Sequence, residues 1–263
     1  MKTNTEGLIL MDQAVGDKDR LLTVLTRDCG VLRCFVRGAS SVHHRSFAGT
    51  QMLSYSGMTI YRGRERCVID EVRLIRSFFE PTLDIVPMAL EQYLCELAMK
   101  LVPENTDSSE QLDLLLNCLY LLNKGRSVPL IKAVFEIRLA SLSGWLPNLL
   151  YCQECGTYED DTMYFYYQEN ALRCSRCHTE APCCPLSKGA LTAFRYVTYA
   201  EPKKVFSFQV SDESLRQLSE CSERYVLSMS TADLHLHTLN YYRQVLLLSA
   251  DNTATTPQHP ETS

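Results

Sequence analysis

The stretch that decides the fold spans residues 151–180 and reads YCQECGTYEDDTMYFYYQENALRCSRCHTE. It holds two Cys-x-x-Cys pairs separated by eighteen residues: Cys152 with Cys155, and Cys174 with Cys177. This spacing is typical of a four-cysteine zinc site, in which two tight turns each aim two thiolates at one centre. The alternative is two chance pairs of buried thiols.

Four thiolates would fill the tetrahedral coordination shell of a zinc ion and leave no position for an activated water. The sequence therefore predicts one structural Zn²⁺ that holds the local fold together and takes no part in catalysis. Because no coordination position is left for water, we consider a zinc enzyme the weakest hypothesis for the function of this chain.

Length and composition indicate two or three small domains with ordinary cores. The chain has 263 residues, of which 46% are hydrophobic and 22% charged. The N-terminus lacks the apolar core of a signal peptide and no segment is long enough to span a membrane, so we expect a cytoplasmic protein without membrane contact.

A reducing compartment favours metal binding over disulfides for the twelve cysteines. Two of the remaining eight, Cys183 and Cys184, are open to interpretation as spare metal ligands or a redox pair. The other six lie in or beside apolar stretches and are predicted to be small core residues: Cys29, Cys34, Cys67, Cys95, Cys118 and Cys221.

Charge is distributed unevenly along the chain, whose net charge is −5. Residues 1–80 carry twelve Lys/Arg and nine Asp/Glu, whereas the remainder carries fourteen against twenty-two. A basic N-terminal part joined to an acidic remainder suggests a module that faces a polyanion, attached to a scaffold with another task.

Residues 1–80 have the pattern of five short strands separated by turn residues. The predicted strands are Thr5–Met11, Arg20–Arg27, Val31–Arg37, Gln51–Tyr61 and Arg66–Phe78. Five strands in about eighty residues suit a closed barrel of the oligonucleotide-binding (OB) type. The predicted fold class is accordingly α+β, with this barrel followed by an α-helical domain into which the four-cysteine zinc module is inserted.

Alternation along the third strand places Arg33, Phe35 and Arg37 on one face. Guanidinium groups can pair with phosphates and the ring can stack on a base, as single-stranded nucleic acid requires. The alternative is a solvated strand face with ordinary surface arginines. The full set of predicted DNA-binding residues adds further arginines of the same domain: Arg20, Arg45, Arg62, Arg64 and Arg66.

Beyond Pro81 the apolar period becomes helical. Three helices are predicted before residue 150, and three after the cysteine stretch at Leu186–Tyr199, Asp212–Met229 and Leu234–Leu247. The predicted boundaries are 1–80 for the barrel, 81–150 and 183–248 for the helical domain, 151–182 for the zinc module and 249–263 for a disordered tail.

Signatures of catalysis are weak. The chain has no phosphate-binding Gly-rich loop and no His-Glu-x-x-His helix, and His235 and His237 are spaced for different helix faces. We therefore expect a protein that is not an enzyme.

Several motifs, in order, resemble the bacterial RecO family of recombination mediators. They are Gly16 to Leu22, the strand ending Val36-Arg37-Gly38-Ala39, Tyr61-Arg62-Gly63, Phe135 to Leu139, Gly144-Trp145-Leu146-Pro147, and Cys152-x-x-Cys155-Gly156. The resemblance implies binding of single- and double-stranded DNA, annealing of complementary strands, and help in loading RecA, together with RecR, onto DNA coated by single-strand-binding protein. Such a protein would be associated with the nucleoid when on DNA.

One loop departs from the family pattern. After Ala39, where the family is usually rich in Arg and Lys, the chain reads Ser-Ser-Val-His43-His44-Arg45. Phosphate binding there is expected to be weaker, or to strengthen below about pH 6.5 as the histidines protonate.

The resemblance also implies capture of the acidic, aromatic-ended C-terminal tail of single-strand-binding protein. A groove for the terminal ring and cations for the carboxylates are needed. The candidate cations in the helical domain are Lys100, Arg126, Lys132 and Arg138. The competing hypothesis for the whole chain is a zinc-containing interaction or regulatory scaffold whose barrel binds protein.

Overall fold

The computed structural model describes residues 2–16, 19–37, 46–63, 66–80, 84–229 and 235–254. Its strands are β1 Lys2–Val15, β2 Asp19–Thr26, β3 Gly30–Val36, β4 Ser54–Arg62, β5 Cys67–Ser77, β6 Thr162–Tyr166, β7 Ala171–Cys174 and β8 Cys184–Ser187. Its α-helices are α1 Ile85–Leu101, α2 Ser109–Leu122, α3 Val128–Leu142, α4 Lys188–Tyr199, α5 Asp212–Ser228 and α6 His237–Ala254.

The first five strands close into a barrel in the order β1-β2-β3-β5-β4. All neighbours are antiparallel except β3 and β5, which pair in parallel at Cys34–Cys67 and Phe35–Val68. The long β1 reaches both β2 and β4 and so closes the barrel. This is the five-stranded OB-type barrel that the sequence predicts.

The barrel is fixed to the helices by backbone contacts at the β2–β3 turn. Gly30, at φ +69°, approaches Pro103 so closely that an added Cβ would lie 1.9 Å from its carbonyl oxygen. Two further bonds run across the junction: the Asn105 amide donates to the Cys29 carbonyl at 2.9 Å, and the Ser108 hydroxyl donates to the Thr26 carbonyl at 2.6 Å. The absence of a side chain at residue 30 is what allows this approach.

The barrel has its own interior core, around Ile9, Leu22 and Met58. A second, larger core is shared between the barrel exterior, the helices and the four-cysteine segment with its sheet. It joins Leu8, Leu25 and Phe78 of the barrel to α1–α6 and to β6–β8. The barrel therefore packs on the helical part through an apolar face.

The predicted helices are all present, and their ends follow sequence signals. Ser211 caps α5 by accepting from the Ser214 amide, and Pro129 lies in the first turn of α3. The start of α6 is capped from another element: the Glu96 carboxylate on α1 accepts from the amides of His237 and Thr238 at 3.1 and 2.8 Å. A carboxylate at a helix N-terminus satisfies its free amides and opposes its dipole.

Two features differ from expectation. The cysteine stretch contributes to a three-stranded sheet of order β7-β6-β8, which the sequence pattern did not predict because these strands have only four or five residues. The last helix continues to Ala254, so residues 249–254, which we expected to be part of a disordered tail, are helical. Residues 255–263 lie outside the described part of the chain.

Candidate nucleic-acid interface and metal centre

Two turns present the four predicted metal ligands. In the first turn, the Cys152 amide donates to the Thr157 carbonyl and the Gly156 amide donates to the Cys152 carbonyl, both at 2.8 Å. Gly156 adopts φ +74°, which a glycine tolerates without strain. The second turn leaves the end of β7, where the Cys177 amide donates to the Cys174 carbonyl at 3.1 Å.

The four sulfur atoms converge at one point, within 4.8 Å of one another. A tetrahedral zinc ion with Zn–S bonds of about 2.3 Å requires sulfurs about 3.8 Å apart, so this donor set fits a metal of that kind. Cys152 and Cys174 are buried and Cys155 is exposed, which places the centre at the surface with one buried side. The four cysteines can therefore hold a metal ion.

The thiols also favour a cation electrostatically. Hydrogen bonds from Thr157 lower the pKa of Cys155 to about 6. A hydrogen bond to Cys155, together with burial and the neighbouring thiols, raises the pKa of Cys177 to about 12. A divalent cation at the centre would favour the thiolate form of Cys177 as well.

Cys183 and Cys184 do not join the metal cluster. Cys184, on β8, is buried against Cys221 of α5, and a hydrogen bond from Cys221 lowers the pKa of Cys184. Of the six predicted core cysteines, Cys34, Cys95, Cys118 and Cys221 are buried, whereas Cys29 and Cys67 are half-buried at the barrel core.

A cleft of about 520 Å³ brings together four of the predicted DNA-binding residues, Arg33, Phe35, Arg62 and Arg66. The other residues of its wall are Leu21, Leu32, Gly63, Cys67, Glu104 and Asn105. The Arg66 guanidinium lies 5.5 Å from the centre of the Phe35 ring, and Arg62 donates to the Asn105 side-chain oxygen at 2.6 Å. The predicted alternation is present, because Leu32, Cys34 and Val36 are buried while Arg33 and Arg37 are exposed.

Arg20 lies elsewhere and has another role. Its side chain is 5% exposed, pairs with Asp12, and donates to the Thr50 hydroxyl and carbonyl at 2.9 and 3.0 Å. A buried guanidinium that is already paired is not free to meet a phosphate, so we leave Arg20 out of the interface. Arg45, Arg64 and the histidines His43 and His44 lie outside the described residues.

Two of the four candidate cations for tail capture are likewise buried. Lys132 pairs with Glu136 and with Glu223, both at 2.8 Å. Arg138 donates to the Thr198 carbonyl at 2.8 Å. These groups hold α3 against α4 and α5 and cannot receive a carboxylate from solvent. Lys100 and Arg126 are exposed, and Arg126 donates to the Phe206 carbonyl at 3.4 Å.

A larger groove of about 1090 Å³ lies at the junction of the barrel with α1 and the start of α6. Three methionines are among its apolar residues, and the groove also has both cations and carboxylates in its wall. The apolar members are Leu10, Met11, Val31, Met52, Cys95, Met99, Val102 and Pro103; the charged members are Arg33, Lys100, Asp12, Glu96 and Glu104; the other polar members are Gln13, Thr23, Gln92, His237 and Thr238. Sequence reasoning missed this groove because its walls come from several separate elements and show no common period.

Two models of known protein families match the chain, one over the barrel and one over most of the helical part. The models of the families "Recombination protein O N terminal" and "Recombination protein O C terminal" match residues 1–78 and 82–231. The chain belongs to the RecO family. A RecO protein of Acetivibrio thermocellus is 31% identical over 84% of this chain and 89% of the relative.

Other RecO proteins are similar over comparable lengths. That of Symbiobacterium thermophilum is 27% identical over 86% of this chain and 91% of the relative, and that of Shouchella clausii is 26% identical over 83% and 86%. All three carry the description "DNA repair protein RecO". Family membership supports a role as a recombination mediator in DNA repair. Among the described helices, none has the length and apolarity needed to cross a bilayer.

Proposed function

We propose that this RecO-family protein binds single- and double-stranded DNA, anneals complementary strands, and helps load RecA, together with RecR, onto DNA coated by single-strand-binding protein. It acts in the cytoplasm, on the nucleoid, and without catalysis. The observation that carries the proposal is the cleft in which Arg33, Arg62 and Arg66 surround Phe35. Guanidinium groups next to an accessible ring combine phosphate pairing with base stacking.

The cleft and the adjoining outer face of β3 are tested with Arg33→Ala and Arg37→Ala together; Arg33 lines the cleft and Arg37 lies on the same face of β3 beyond it. Both side chains are exposed, so the barrel is expected to remain folded while affinity for single-stranded DNA falls. Each phosphate ion pair that the variant cannot form should reduce the slope of log affinity against log salt by about 0.7. The measurement is fluorescence anisotropy of a labelled oligonucleotide across a salt series.

A matched control is Lys203→Ala with Lys204→Ala, which removes two exposed charges from the turn before α5. An unchanged slope in this variant would show that neither Arg33 nor Arg37 contacts a phosphate, which would contradict the proposed use of this face of β3. If the full-length wild type is not retained on single-stranded DNA at low salt, the competing hypothesis of a protein-binding zinc scaffold is favoured.

We further propose that the apolar groove beside Lys100 receives the C-terminal tail of single-strand-binding protein. The groove offers an apolar wall for a terminal ring, and the ammonium group of Lys100 at its rim is available to a carboxylate. Arg33 lines the same groove from the barrel side and adds a second cation.

Calorimetric titration with a peptide that copies the tail tests this groove. We expect Lys100→Glu to weaken binding at least tenfold, because an attractive charge becomes repulsive. Arg126→Glu changes the same charge away from the groove and should leave affinity unchanged. If only the Arg126→Glu variant lost peptide binding, the groove would be excluded and the tail site would lie near Arg126 and Phe206.

We propose zinc as the metal of the four-cysteine centre, because zinc prefers four thiolates in tetrahedral coordination and the four sulfurs lie close enough together to bind one ion. Its role would be to join the turn at Cys152 to the end of β7.

A further inference from the structure

Two groups of exposed cations lie on the described part of the barrel and its junction with α2, apart from Lys2, which pairs with Asp70, and Arg37. One is the cleft already described. The other lies where β5 meets the end of α2 and consists of Arg73, Arg76 and Lys124; all three are exposed, and none has a carboxylate within ion-pair distance among the described residues. We refer to these three residues as the β5–α2 cluster.

Strand register explains why two of these cations share a face. Arg76 lies opposite Tyr55 and Arg73 opposite Gly57, while Ile75 has no partner on β4. Residues directly opposite in an antiparallel pair point to the same side, and Tyr55 and Gly57 are two apart on β4. The bulge at Ile75 therefore brings Arg73 and Arg76, three apart in sequence, onto one outer face.

Aromatic rings lie beside two of these cations, Arg76 and Lys124. The Arg76 guanidinium is 4.8 Å from the Phe78 ring centre and 5.1 Å from that of Tyr120, and the Lys124 ammonium is 5.7 Å from the Tyr120 ring. Tyr120 is 40% exposed and Phe79 is 56% exposed. The side-chain Nδ2 of Asn123 donates to the Phe78 carbonyl at 3.0 Å, which ties the end of α2 to the end of β5.

A purely structural role accounts for only part of the cluster. Lys124 follows the C-terminus of α2, where a cation opposes the helix dipole. The Arg73 guanidinium lies over Gly57, with a terminal nitrogen 3.5 Å from the position of a Cβ on that glycine, in a cleft whose wall also holds Glu6, Asp28 and Glu71. None of the three cations has a carboxylate within ion-pair distance among the described residues, so each can meet a phosphate, and the exposed Tyr120 ring beside Arg76 and Lys124 offers a surface for a base.

Acidic residues separate this cluster from the cleft. Along the same outer face Glu71 follows Arg73, opposite Thr59, and Asp70 pairs with Lys2 at 3.2 Å. Arg76 and Arg62 lie at opposite ends of the β4–β5 ribbon, seven β4 residues or roughly 23 Å apart. A nucleic-acid strand that ran directly along the ribbon from one cluster to the other would pass the Glu71 carboxylate.

We propose that the β5–α2 cluster is a second contact surface for single-stranded nucleic acid, separate from the cleft. The ligand class rests on the proposed function, and the position rests on the exposed cations and rings. Two separated surfaces on one barrel would let one chain hold two strands, or two segments of one strand, at the same time. An acidic peptide is the other ligand that this chemistry would accept.

The test compares Arg73→Gln/Lys124→Gln with the charge-conserving Arg73→Lys/Lys124→Arg and with the matched control Lys203→Gln/Lys204→Gln. Arg76 is left intact because it packs between two rings. Salt-dependent binding of poly-dT is measured, and bridging is followed by energy transfer between two non-complementary oligonucleotides that carry a donor and an acceptor. The cleft variant Arg33→Ala/Arg37→Ala is run in parallel.

We expect the Gln variant to lose bridging and to lower the salt slope by about 0.7 for each phosphate ion pair that it cannot form, while the charge-conserving and control variants behave as wild type. Unchanged slope and bridging in the Gln variant would overturn the proposal. It would also be overturned if DNA binding were intact and only an acidic peptide lost affinity. If Arg33→Ala/Arg37→Ala keeps its DNA affinity while Arg73→Gln/Lys124→Gln loses it, the proposed DNA contact at Arg33 and Arg37 is contradicted and the proposed contact at the β5–α2 cluster is supported.

Discussion

Glu91 on α1 is a buried carboxylate with an unusual charge environment. Its side chain is 8% exposed, and within the described part of the chain it has neither a hydrogen bond nor an ion pair. Burial, with a smaller contribution from the negative charge of Glu80, raises the pKa of Glu91 to about 7. The folded protein therefore holds a proton at Glu91 under conditions in which the unfolded chain has released it.

This raised pKa predicts that stability falls as pH rises. Below the ordinary pKa of a glutamate both states are protonated, so stability is at its full value; between about pH 4.5 and 7 only the unfolded chain deprotonates, which favours unfolding. The loss amounts to at most about 3 kcal/mol, because one pH unit of difference corresponds to about 1.4 kcal/mol. Urea unfolding at pH 5 and pH 8 measures it.

Glu91→Gln should remove most of this pH dependence and be more stable than the wild type at pH 8. Glu80→Gln is the companion variant and should reduce the dependence slightly, since the Glu80 charge is the smaller cause. Equal pH profiles for the wild type and Glu91→Gln would show that Glu91 is not the group responsible.

At the scale of elements, the four-cysteine segment is held by contacts other than those of its cysteines. Arg195 of α4 donates to the carbonyls of Leu149, Leu150 and Tyr158 at 2.8, 3.0 and 2.7 Å, and its guanidinium lies 4.1 Å from the Tyr158 ring centre. Strand β6 joins β7 on one side and β8 on the other. The four cysteines therefore lie at one end of a sheet that packs on α4 and α5 through β8.

Loss of a metal ligand is expected to weaken this sheet without unfolding the barrel. Cys174→Ser should reduce bound zinc from about one ion per chain to near zero, because three thiolates hold the metal poorly. A loss of even about 2 kcal/mol lowers Tm by roughly 4–8 °C in a chain of this size. Elemental analysis and differential scanning calorimetry give the two readouts.

Cys183→Ser is the matched control, since Cys183 lies outside the four-sulfur cluster. It should retain the metal and the wild-type Tm. Wild-type protein purified without chelators and found free of metal would contradict the zinc assignment.

At the scale of the whole molecule, the barrel depends on the helices for part of its burial. Leu8, Leu25 and Val31 lie outside the barrel interior and are buried in the core shared with α1 and α2. An isolated barrel would expose these side chains. Replacing a buried leucine with alanine typically lowers the free energy of unfolding by about 2–5 kcal/mol.

A fragment of residues 1–80 is therefore expected to aggregate or to unfold at a lower temperature than the full chain. In the full chain Leu8→Ala should cost about 3 kcal/mol, whereas in the fragment the same change should improve solubility. Calorimetry and light scattering distinguish these cases. A fragment with the same Tm as the full chain would show that the two parts fold independently.

The sequence by itself determined much of this protein because several of its signals are local. The Cys-x-x-Cys turns, the period-two strand after Gly30, the helical stripes and the cap at Ser211 each depend on residues within one turn or one strand. Local signals also placed Arg33 and Arg37 on the outer face of β3, because side chains of a strand alternate between its two sides.

Only the tertiary structure decided which cations are available. Arg20, Lys132 and Arg138 resemble surface charges in the sequence, yet each is buried against a partner far away along the chain, such as Thr50 for Arg20, Glu223 for Lys132 and Thr198 for Arg138. The shared core, the groove at Lys100 and the common face of Arg73 and Arg76 likewise arise from contacts between distant segments and from one bulge. Burial and strand register depend on the whole fold, so no local pattern of residues could have given them.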